Sequence, residues 1–174
     1  MSERSTISVS MLGAGATHSL RIAPELAASV REAAGFDLTG SINTAISTGA
    51  KIAARLGPDE WLLIGPDGQS NALSDEIGAA LAGHFHSLVD VSHRNVGIAV
   101  AGREASMALS AGVPIDLGDT AFPAGSATRT VLGKAEIVLM RPGSDRVYRV
   151  ECWRSFAPYV RAFLDEAARE FNSQ

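Results

Sequence analysis

The chain has 174 residues, of which 46% are hydrophobic and 20% are charged, and its formal net charge is −4. This length suits one compact domain or two small halves that share a core. The negative charge argues against non-specific binding to nucleic acid, and the apolar stretches are too short and too interrupted to cross a membrane. The single cysteine, Cys152, excludes an internal disulfide framework and a thiolate zinc cluster.

The start of the chain gives little sign of regular structure. It has no basic segment followed by an apolar run, so we expect no signal peptide. A chain without paired cysteines fits a cytoplasmic location. Residues 1–20 are small, polar and Gly-rich, which predicts a flexible N-terminal arm or an arm that a partner orders. Residues 21–174 are predicted to form a single domain.

Helices and strands can be predicted from the residues that follow this arm. In chain order, the first half predicts a helix over residues 24–34, strands over 51–57 and 61–65, and a helix over 71–82. Pro58 and Asp59 favour a tight turn between the two strands. The second helix carries apolar residues at i, i+4, i+7 and i+8, which form one face. Residues 37–50 are rich in Ser, Thr and Gly and give no clear assignment.

The second half repeats this arrangement. It predicts strands over residues 86–94 and 95–102, a helix over 103–111, strands over 127–133, 135–141 and 146–153, and a final helix capped by Ser155. Hairpins imply antiparallel pairing, and helices between them pack on a face of the sheet. The predicted fold class is therefore α+β, with one or more antiparallel sheets, packed helices and duplicated hairpin–helix units.

Cofactor motifs are weak in this sequence. Residues 13–18 read GAGATH, which lacks the third glycine of a dinucleotide fingerprint, and no phosphate-binding G-x-x-x-x-G-K-[ST] motif is present. His84 and His86 form an H-x-H pair without an adjacent cysteine or carboxylate pair, so a surface pair is the simpler interpretation. We expect no cofactor and no metal in this chain.

Two sets of residues have the side chains of nucleophilic catalysis, but their predicted placement argues against that role. Asp90, Ser92 and His93 contain the residue types of a hydrolase triad. In a strand, however, Asp90 and Ser92 share one face while His93 points to the other, away from the serine that it would have to activate. Cys152 lies within a predicted strand, where a buried and inert thiol is expected. We therefore predict no catalytic residue.

Trp61 and Arg154 have two interpretations each. Core packing is the simpler role for Trp61, and its functional role would be ring stacking or anchoring at an interface. Arg154 follows Trp153; it either neutralises a nearby acid or holds a carboxylate of a substrate or partner. The sequence leaves both alternatives open.

Several blocks of this sequence resemble a known family. The segment LVDVSHRNVGIAVAGREASMAL (residues 88–109) is similar to a motif of the aminomethyltransferase (glycine cleavage T-protein) superfamily. The segments LGPDEWLLIGP (56–66), DLGDTAFPAGSATRTVLGKAEIVL (116–139) and WRSFAPYVRAFLDEAAREF (153–171) narrow the resemblance to sarcosine oxidase gamma subunits. The resemblance runs from about residue 56 to the end.

The resemblance implies a fold like the folate-binding domain of the T-protein, and a set of partners. Enzymes of this family contain alpha, beta, gamma and delta subunits and oxidatively demethylate sarcosine to glycine, with oxygen and tetrahydrofolate. FAD, FMN and NAD are expected in the alpha and beta subunits, zinc in the delta subunit, and no cofactor in the gamma subunit. The gamma chain is thus expected to be a non-catalytic subunit that binds neither nucleic acid nor membrane.

The resemblance departs from the T-protein pattern at one position. T-proteins carry paired aspartates where this chain has residues 133–137, GKAEI, so that Glu136 beside Lys134 is the one remaining acid. This departure implies that the fold was retained without aminomethyl transfer. Two alternatives remain: a stand-alone folate-binding protein, or a gamma-like subunit of a complex that oxidises another N-methyl amino acid. Residues predicted to contact a partner or a folate are Trp61, His93, Arg94, Trp153 and Arg154.

Overall fold

The computed structural model of the protein describes residues 7–13 and 15–172. In chain order its elements are β1 (Ser8–Met11), β2 (Gly15–Ile22), α1 (Pro24–Val30), β3 (Glu32–Ala33), β4 (Phe36–Asp37), β5 (Thr44–Thr48), β6 (Lys51–Arg55), β7 (Glu60–Asp67), α2 (Ser70–Ala80), β8 (His86–Asp90), β9 (Asn95–Ala101), α3 (Ala105–Ser110), β10 (Ser126–Leu132), β11 (Ala135–Arg141), β12 (Val147–Trp153) and α4 (Ala157–Asn172). The described residues divide into two compact units: unit A, residues 13 and 15–95, and unit B, residues 7–12 and 96–172.

Unit A contains a five-stranded arrangement in the order β5-β6-β7-β2-β8, in which neighbouring strands are antiparallel. Its core lies between one face of these strands and helix α2. Leu20 and Leu63 from the strands pack with Leu73 and Ile77 from α2. Leu73 and Ile77 are four positions apart, so both project from the same side of the helix onto the strands.

Unit B has five strands in the order β10-β11-β12-β9-β1. Helix α4 buries Val160, Leu164 and Ala168, spaced four residues apart, against the strands and helix α3. The C-terminal end of α4 also binds the first described residue of the chain. The Ile7 amide donates to Asn172 Oδ1 at 2.8 Å, and Asn172 Nδ2 donates to the Ile7 carbonyl at 3.0 Å.

The two units repeat one plan. Apart from the short β3–β4 hairpin, unit A runs strand, helix, three strands, helix and strand, as β2, α1, β5–β7, α2 and β8. Unit B runs β9, α3, β10–β12 and α4 in the same way, and corresponding strands take the same places in the strand order. The edge position held by β8 in unit A is held in unit B by β1, which comes from the beginning of the chain. The predicted α+β class with duplicated units is confirmed.

The predicted arm over residues 1–20 is corrected by the structure where that segment is described. Strand β2 pairs with β7 on one side and β8 on the other, and β1 pairs with β9. Ala16, Leu20 and Ile22 alternate along β2 and are buried, which is the pattern of a strand with one face in a core. Residues 1–6 and 14 lie outside the described residues. Residues from 21 onward, expected to form a single domain, contribute to both units.

Three local expectations also change. The predicted hairpin of residues 86–94 and 95–102 is wrong, because β8 pairs with β2 while β9 lies between β1 and β12. Helix α1 ends at Val30 rather than at residue 34, since Arg31 and Ala34 have φ of 62° and 51°. The last helix begins at Ala157, after a 3₁₀ turn, Arg154–Phe156, that contains Ser155.

Candidate functional site

A polar network in unit A joins strand β2, helix α2 and the end of strand β8. His18 Nε2 lies 2.7 Å from Ser74 Oγ. Ser70 Oγ donates to Asp90 Oδ2 at 2.6 Å, and the Ser92 amide donates to Asp90 Oδ1 at 2.8 Å. The hydroxyl oxygens of Ser70 and Ser92 are 3.1 Å apart. These contacts form two neighbouring groups, His18 with Ser74 and Asp90 with Ser70 and Ser92, which together connect β2, α2 and the end of β8.

The local sequence explains how these side chains meet. His18 shares the buried face of β2 with Leu20, because successive side chains of a strand alternate. Its register partner on β8 is Asp90, which places the ring and the carboxylate on neighbouring strands. Ser70 and Ser74 are one helical turn apart at the start of α2 and therefore lie on one side of it.

The network holds Asp90 ionised. Burial alone raises the pKa of Asp90, but hydrogen bonds from Ser70 and Ser92 and the nearby His18 outweigh it and bring the pKa of Asp90 to about 2. The bond from Ser70 also places the carboxylate beside the first residue of α2, where the helix dipole favours a negative charge. Asp90 is thus a fixed anion that binds β8 to α2.

The surroundings of His18, in contrast, favour its uncharged form. Its ring is completely buried, and this desolvation lowers the pKa of His18, against smaller raising effects from Asp90 and the backbone of Ser70. Nδ1 makes no hydrogen bond of ordinary geometry with any described residue. At neutral pH the imidazole is therefore uncharged, and one of its two nitrogens is used to hold α2 through Ser74.

The hydrogen bonds of this network attach α2 to β2 and β8; they do not activate a nucleophile. Ser92 Oγ accepts from the Thr17 amide at 2.9 Å and donates to the Thr17 carbonyl at 3.3 Å, which engages the hydroxyl with the backbone. Asp90 and Ser92 do lie together, but not on one strand: β8 ends at Asp90, and the amide of Ser92, in the turn that follows, donates to the Asp90 carboxylate. His93 is exposed in the same turn. The imidazole in the network is His18, which the sequence analysis missed. The alternation of Ala16, His18, Leu20 and Ile22 was the signal that could have identified it.

The unfolding free energy should fall as the pH drops from 7 to 5, because of His18. A histidine whose folded pKa is lowered binds more protons when unfolded, so stability is complete above the unfolded value of 6.5 and decreases below it. One histidine can change the free energy of unfolding by at most about 1.4 kcal/mol per pH unit. His18→Gln keeps a donor for Ser74 but does not titrate, and we expect it to flatten the pH profile measured by urea unfolding.

His84→Gln is the matched control for this experiment, because His84 is exposed. It should leave the slope between pH 7 and 5 unchanged. A second decrease is expected in strong acid, as Asp90, with its pKa of about 2, stabilises the fold above pH 3.8 and loses this effect as the pH falls towards 2. A His18→Gln profile as steep as that of the wild type would contradict the assignment.

The other candidate sites show little reactive chemistry. The His86 ring nitrogen Nδ1 lies 2.9 Å from the His84 carbonyl oxygen, and residues 7–13 and 15–172 hold no group of three His, Cys, Asp or Glu side chains suited to a metal ion. Cys152 is buried in β12, and burial together with the charge of Glu151 raises the pKa of its thiol to about 11. A thiol with that pKa is not a nucleophile at neutral pH.

A pocket of about 290 Å³ opens beside the β3–β4 hairpin and is lined by Arg31, Glu32, Gly35, Asp37, Thr39 and Thr48. Both of its carboxylates bind the backbone of their own loop: Glu32 accepts from the Gly35 amide, and Asp37 accepts from the amide and hydroxyl of Thr39. Its acidic groups are therefore engaged in shaping the loop.

The residues predicted to contact a partner or a folate fall into two groups. Trp61 is 1% exposed and lies in the core of unit A, with the Arg55 guanidinium 4.7 Å from its ring centre. In this position Trp61 cannot meet a partner or stack on a folate. His93 and Arg94 are exposed in unit A, and Arg154 is exposed in unit B beside Trp153, which is 48% exposed.

None of the helices in the described ranges combines the length and the apolar character that crossing a membrane requires. The longest, α4, has sixteen residues and an exposed side rich in charge, including the ion pairs Arg161–Asp165 and Arg169–Glu166. This helix contributes one apolar stripe to the core of unit B.

Comparison with known proteins identifies the family. The model of the sarcosine oxidase gamma subunit family matches residues 20–170. The sarcosine oxidase subunit gamma of Arthrobacter sp is 33% identical over 121 residues, and that of Corynebacterium sp. (strain P-1) is 32% identical over 119 residues. Each match covers 68% of this chain and 57% of the relative, so the chain matches little more than half the length of these relatives.

Solved structures agree on the fold. A chain of the heterotetrameric sarcosine oxidase from Corynebacterium sp. U-96, in complex with pyrrole 2-carboxylate, superposes with a TM-score of 0.84 at 22% identity, covering 99% of this chain and 89% of that one. The glycine cleavage system aminomethyltransferase T from Bartonella henselae gives a TM-score of 0.72 at 14% identity, covering 94% of this chain and 47% of that one. Together with the family match, these findings confirm the resemblance seen in the sequence: the chain belongs to the sarcosine oxidase gamma subunit family.

Proposed function

We propose that this chain is a non-catalytic gamma subunit of a heterotetrameric sarcosine oxidase. In this proposal the chain assembles with alpha, beta and delta subunits, and the complex demethylates sarcosine oxidatively to glycine with oxygen and tetrahydrofolate. FAD, FMN, NAD and zinc belong to the partner subunits. The family match over residues 20–170 is the observation that carries the proposal.

The chemistry of the described residues supports a non-catalytic role. The Ser, His and Asp side chains that come together in unit A hold α2 against β2 and β8, as the distances within that network indicate. The Cys152 thiol is buried and has a pKa of about 11. Glu136, the acid that stands where T-proteins have paired aspartates, is exposed on β11 opposite Val131. A stand-alone folate-binding role is disfavoured because Trp61, its proposed aromatic platform, is buried.

Trp153 and Arg154 are the residues that we propose as contacts with a partner subunit. Trp153 is about half exposed beside the exposed Arg154, and tryptophan and arginine are both enriched among the residues that dominate binding at protein interfaces. Their position, where β12 meets the 3₁₀ turn before α4, fixes their backbone between two regular elements. We place His93 and Arg94, in the turn after β8, in the same class of contact.

The decisive experiment is purification of the tagged chain from the organism that encodes it, grown on sarcosine. We expect a yellow complex with three further subunits and peroxide production that depends on sarcosine. A colourless chain eluting alone would contradict the proposal. A complex that produces peroxide from another N-methyl amino acid, such as N-methylglutamate, and not from sarcosine would support the alternative of a gamma-like subunit in a related enzyme.

The contact residues need a separate measurement. Trp153→Ala should reduce the yield of complex, while Met107→Ala, which removes an apolar side chain of similar exposure from α3, should not. The free energy of unfolding of both variants is measured as well, because Trp153 is 48% exposed and its truncation also removes buried apolar surface. Equal yields of complex for the two variants would contradict the assignment of Trp153.

A further inference from the structure

The β3–β4 hairpin places two carboxylates opposite each other at the edge of the pocket in unit A. Glu32 and Asp37 are register partners, and they project from the outer face because their neighbours Ala33 and Phe36 lie in the core. Like charges that face each other across two strands are destabilising. The hairpin therefore carries an electrostatic cost that a positive group between the two carboxylates would remove.

The backbone holds these two carboxylates at short range. The Leu38 amide donates to the Arg31 carbonyl at 2.8 Å, which makes Arg31 and Leu38 a hydrogen-bonded pair. Hydrogen-bonded and non-hydrogen-bonded pairs alternate along an antiparallel ladder, so the adjacent pair of Glu32 and Asp37 is non-hydrogen-bonded. The side chains of such a pair lie closer together than those of a hydrogen-bonded pair.

Each carboxylate uses only one oxygen within the hairpin. Glu32 Oε1 accepts from the Gly35 amide at 3.0 Å, and Asp37 Oδ1 accepts from the amide and the hydroxyl of Thr39 at 2.8 and 2.6 Å. Within residues 7–13 and 15–172, no group donates a hydrogen bond to Glu32 Oε2 or Asp37 Oδ2. An ammonium group has three donors and no acceptor, so it matches these two oxygens.

Arg31 supplies a positive charge at the same pocket. It lines the pocket together with the two carboxylates, and its charge adds to the hydrogen bonds from Thr39 in lowering the pKa of Asp37. Its backbone φ of 62° lies in a region that favours glycine, and strained residues of this kind cluster at ligand sites. Arg31 is therefore placed to bind a carboxylate, which a guanidinium recognises through paired hydrogen bonds.

The charges around the pocket define the class of ligand. Its lining side chains carry two negative charges and one positive charge. Lys51 lies near the turn, but its Nζ donates to the Ala34 carbonyl at 2.6 Å and is 4.0 Å from Glu76 Oε2. A simple cation would be attracted by the carboxylates and repelled by Arg31, whereas a molecule with both an ammonium and a carboxylate group is attracted at both ends.

We propose that this pocket binds a small amino acid as its zwitterion. The ammonium group lies between the carboxylates of Glu32 and Asp37, and the carboxylate of the ligand binds the Arg31 guanidinium. The volume of about 290 Å³ limits the ligand to a small one. This binding role is separate from assembly with other subunits, so the full chain on its own is sufficient to test it.

Titration of the full chain with glycine, followed by two-dimensional NMR of the backbone amides, tests this proposal. The amides of Gly35 and Thr39 donate to the two carboxylates and should shift in a saturable way, with a Kd of about 1–10 mM. Methylammonium chloride carries only the positive group and sodium acetate only the negative one, so each should bind about tenfold more weakly than glycine, or weaker still. Magnesium chloride should give no saturable shift.

Arg31→Gln and Glu32→Gln should each weaken glycine binding about tenfold or more, with the amide shifts outside the hairpin unchanged. The matched controls are Arg21→Gln and Glu25→Gln, which neutralise exposed residues of unit A outside the pocket lining and should leave the Kd unchanged. The absence of a saturable shift up to about 100 mM glycine would overturn the proposal, as would equal affinities of the wild type and both pocket variants. Methylammonium or magnesium binding as tightly as glycine would show a cation site and contradict the assignment to an amino acid.

Discussion

Replacing Arg149 with methionine should lower the free energy of unfolding by about 3–5 kcal/mol at pH 8, because it leaves a buried carboxylate without its partner. Arg149 Nε lies 2.7 Å from Glu151 Oε1, and the side chains of these residues are 17% and 2% exposed. They stand two positions apart on β12 and therefore project from the same face of the strand. The substitution removes the charge while keeping an apolar side chain of similar length.

Gly97 on the adjacent strand β9 makes room for this ion pair. A Cβ atom at position 97 would lie 2.8 Å from Glu151 Oε1 and 3.0 Å from an Arg149 guanidinium nitrogen. Burial raises the pKa of Glu151 above its usual value, although Arg149 opposes the shift by charge and hydrogen bond. Without Arg149 this opposition disappears, so the pKa of Glu151 rises further and the folded variant takes up a proton.

The sign of the pH dependence follows from that proton. A carboxyl group whose folded pKa is raised stabilises the fold below its unfolded pKa and loses this effect as the pH rises through the folded value. The penalty of Arg149→Met should therefore shrink between pH 8 and pH 5 in urea unfolding followed by circular dichroism. Arg161→Met, which breaks the exposed pair with Asp165, is the control and should cost about 0.5 kcal/mol. The double variant Arg149→Met with Glu151→Leu should recover most of the lost free energy of unfolding. Equal losses for Arg149→Met and Arg161→Met would contradict the prediction.

The sequence was most informative where periodicity and turn residues agree. The apolar residues 73, 77, 80 and 81 predicted α2, and the final helix was predicted where α4 buries Val160 and Leu164. The turn at residues 133 and 134 joins β10 to β11, and Gly133 has a φ of 58° that favours glycine. These features are local, so they can be recognised without knowing which elements pair.

The pairing of strands that lie far apart in the sequence could not be predicted from such local signals. Strands β8 and β9 follow each other in the chain, and a hairpin was the natural expectation, yet β8 pairs with β2, about seventy residues earlier. Strand β1 pairs with β9 and is anchored by Asn172 at the other end of the chain. The polar character of the first twenty residues therefore concealed two strands whose stability depends on distant partners.

The residues of the candidate site were also predictable only where the signal is local in the sequence. The sequence placed Asp90 and Ser92 on one face of a strand, whereas in the structure Ser92 lies in the turn after β8 and the two residues meet through its amide and through Ser70. It did not indicate that His18 would lie beside them, because β2 was taken for part of an arm. The burial of Trp61 likewise depends on Leu20, its register partner on β2, and on α2, so the choice between core packing and an interface could not be made from residues 56–66 alone.

Trp61→Ala should lower the free energy of unfolding by about 3–5 kcal/mol, since it removes the largest fully buried side chain from the core of unit A. The loss includes the contact with Arg55, a cation–π interaction worth about 0.5–2 kcal/mol. Arg55 is itself held over the ring by hydrogen bonds to the carbonyls of Gly40 and Pro58, at 3.1 and 2.7 Å. Removal of the ring thus also leaves a positioned guanidinium above a cavity.

Trp61→Phe separates the packing of the ring from its polar atom. The indole Nε1 is buried and has no hydrogen-bond partner among the described residues, a situation that costs about 1–3 kcal/mol. Phenylalanine keeps an aromatic ring under Arg55 and eliminates the unsatisfied donor, so we expect a much smaller loss than for alanine. Urea unfolding of the isolated chain measures both variants. If Trp61 were an interface anchor instead, Trp61→Ala would leave this unfolding free energy unchanged and reduce only the yield of complex.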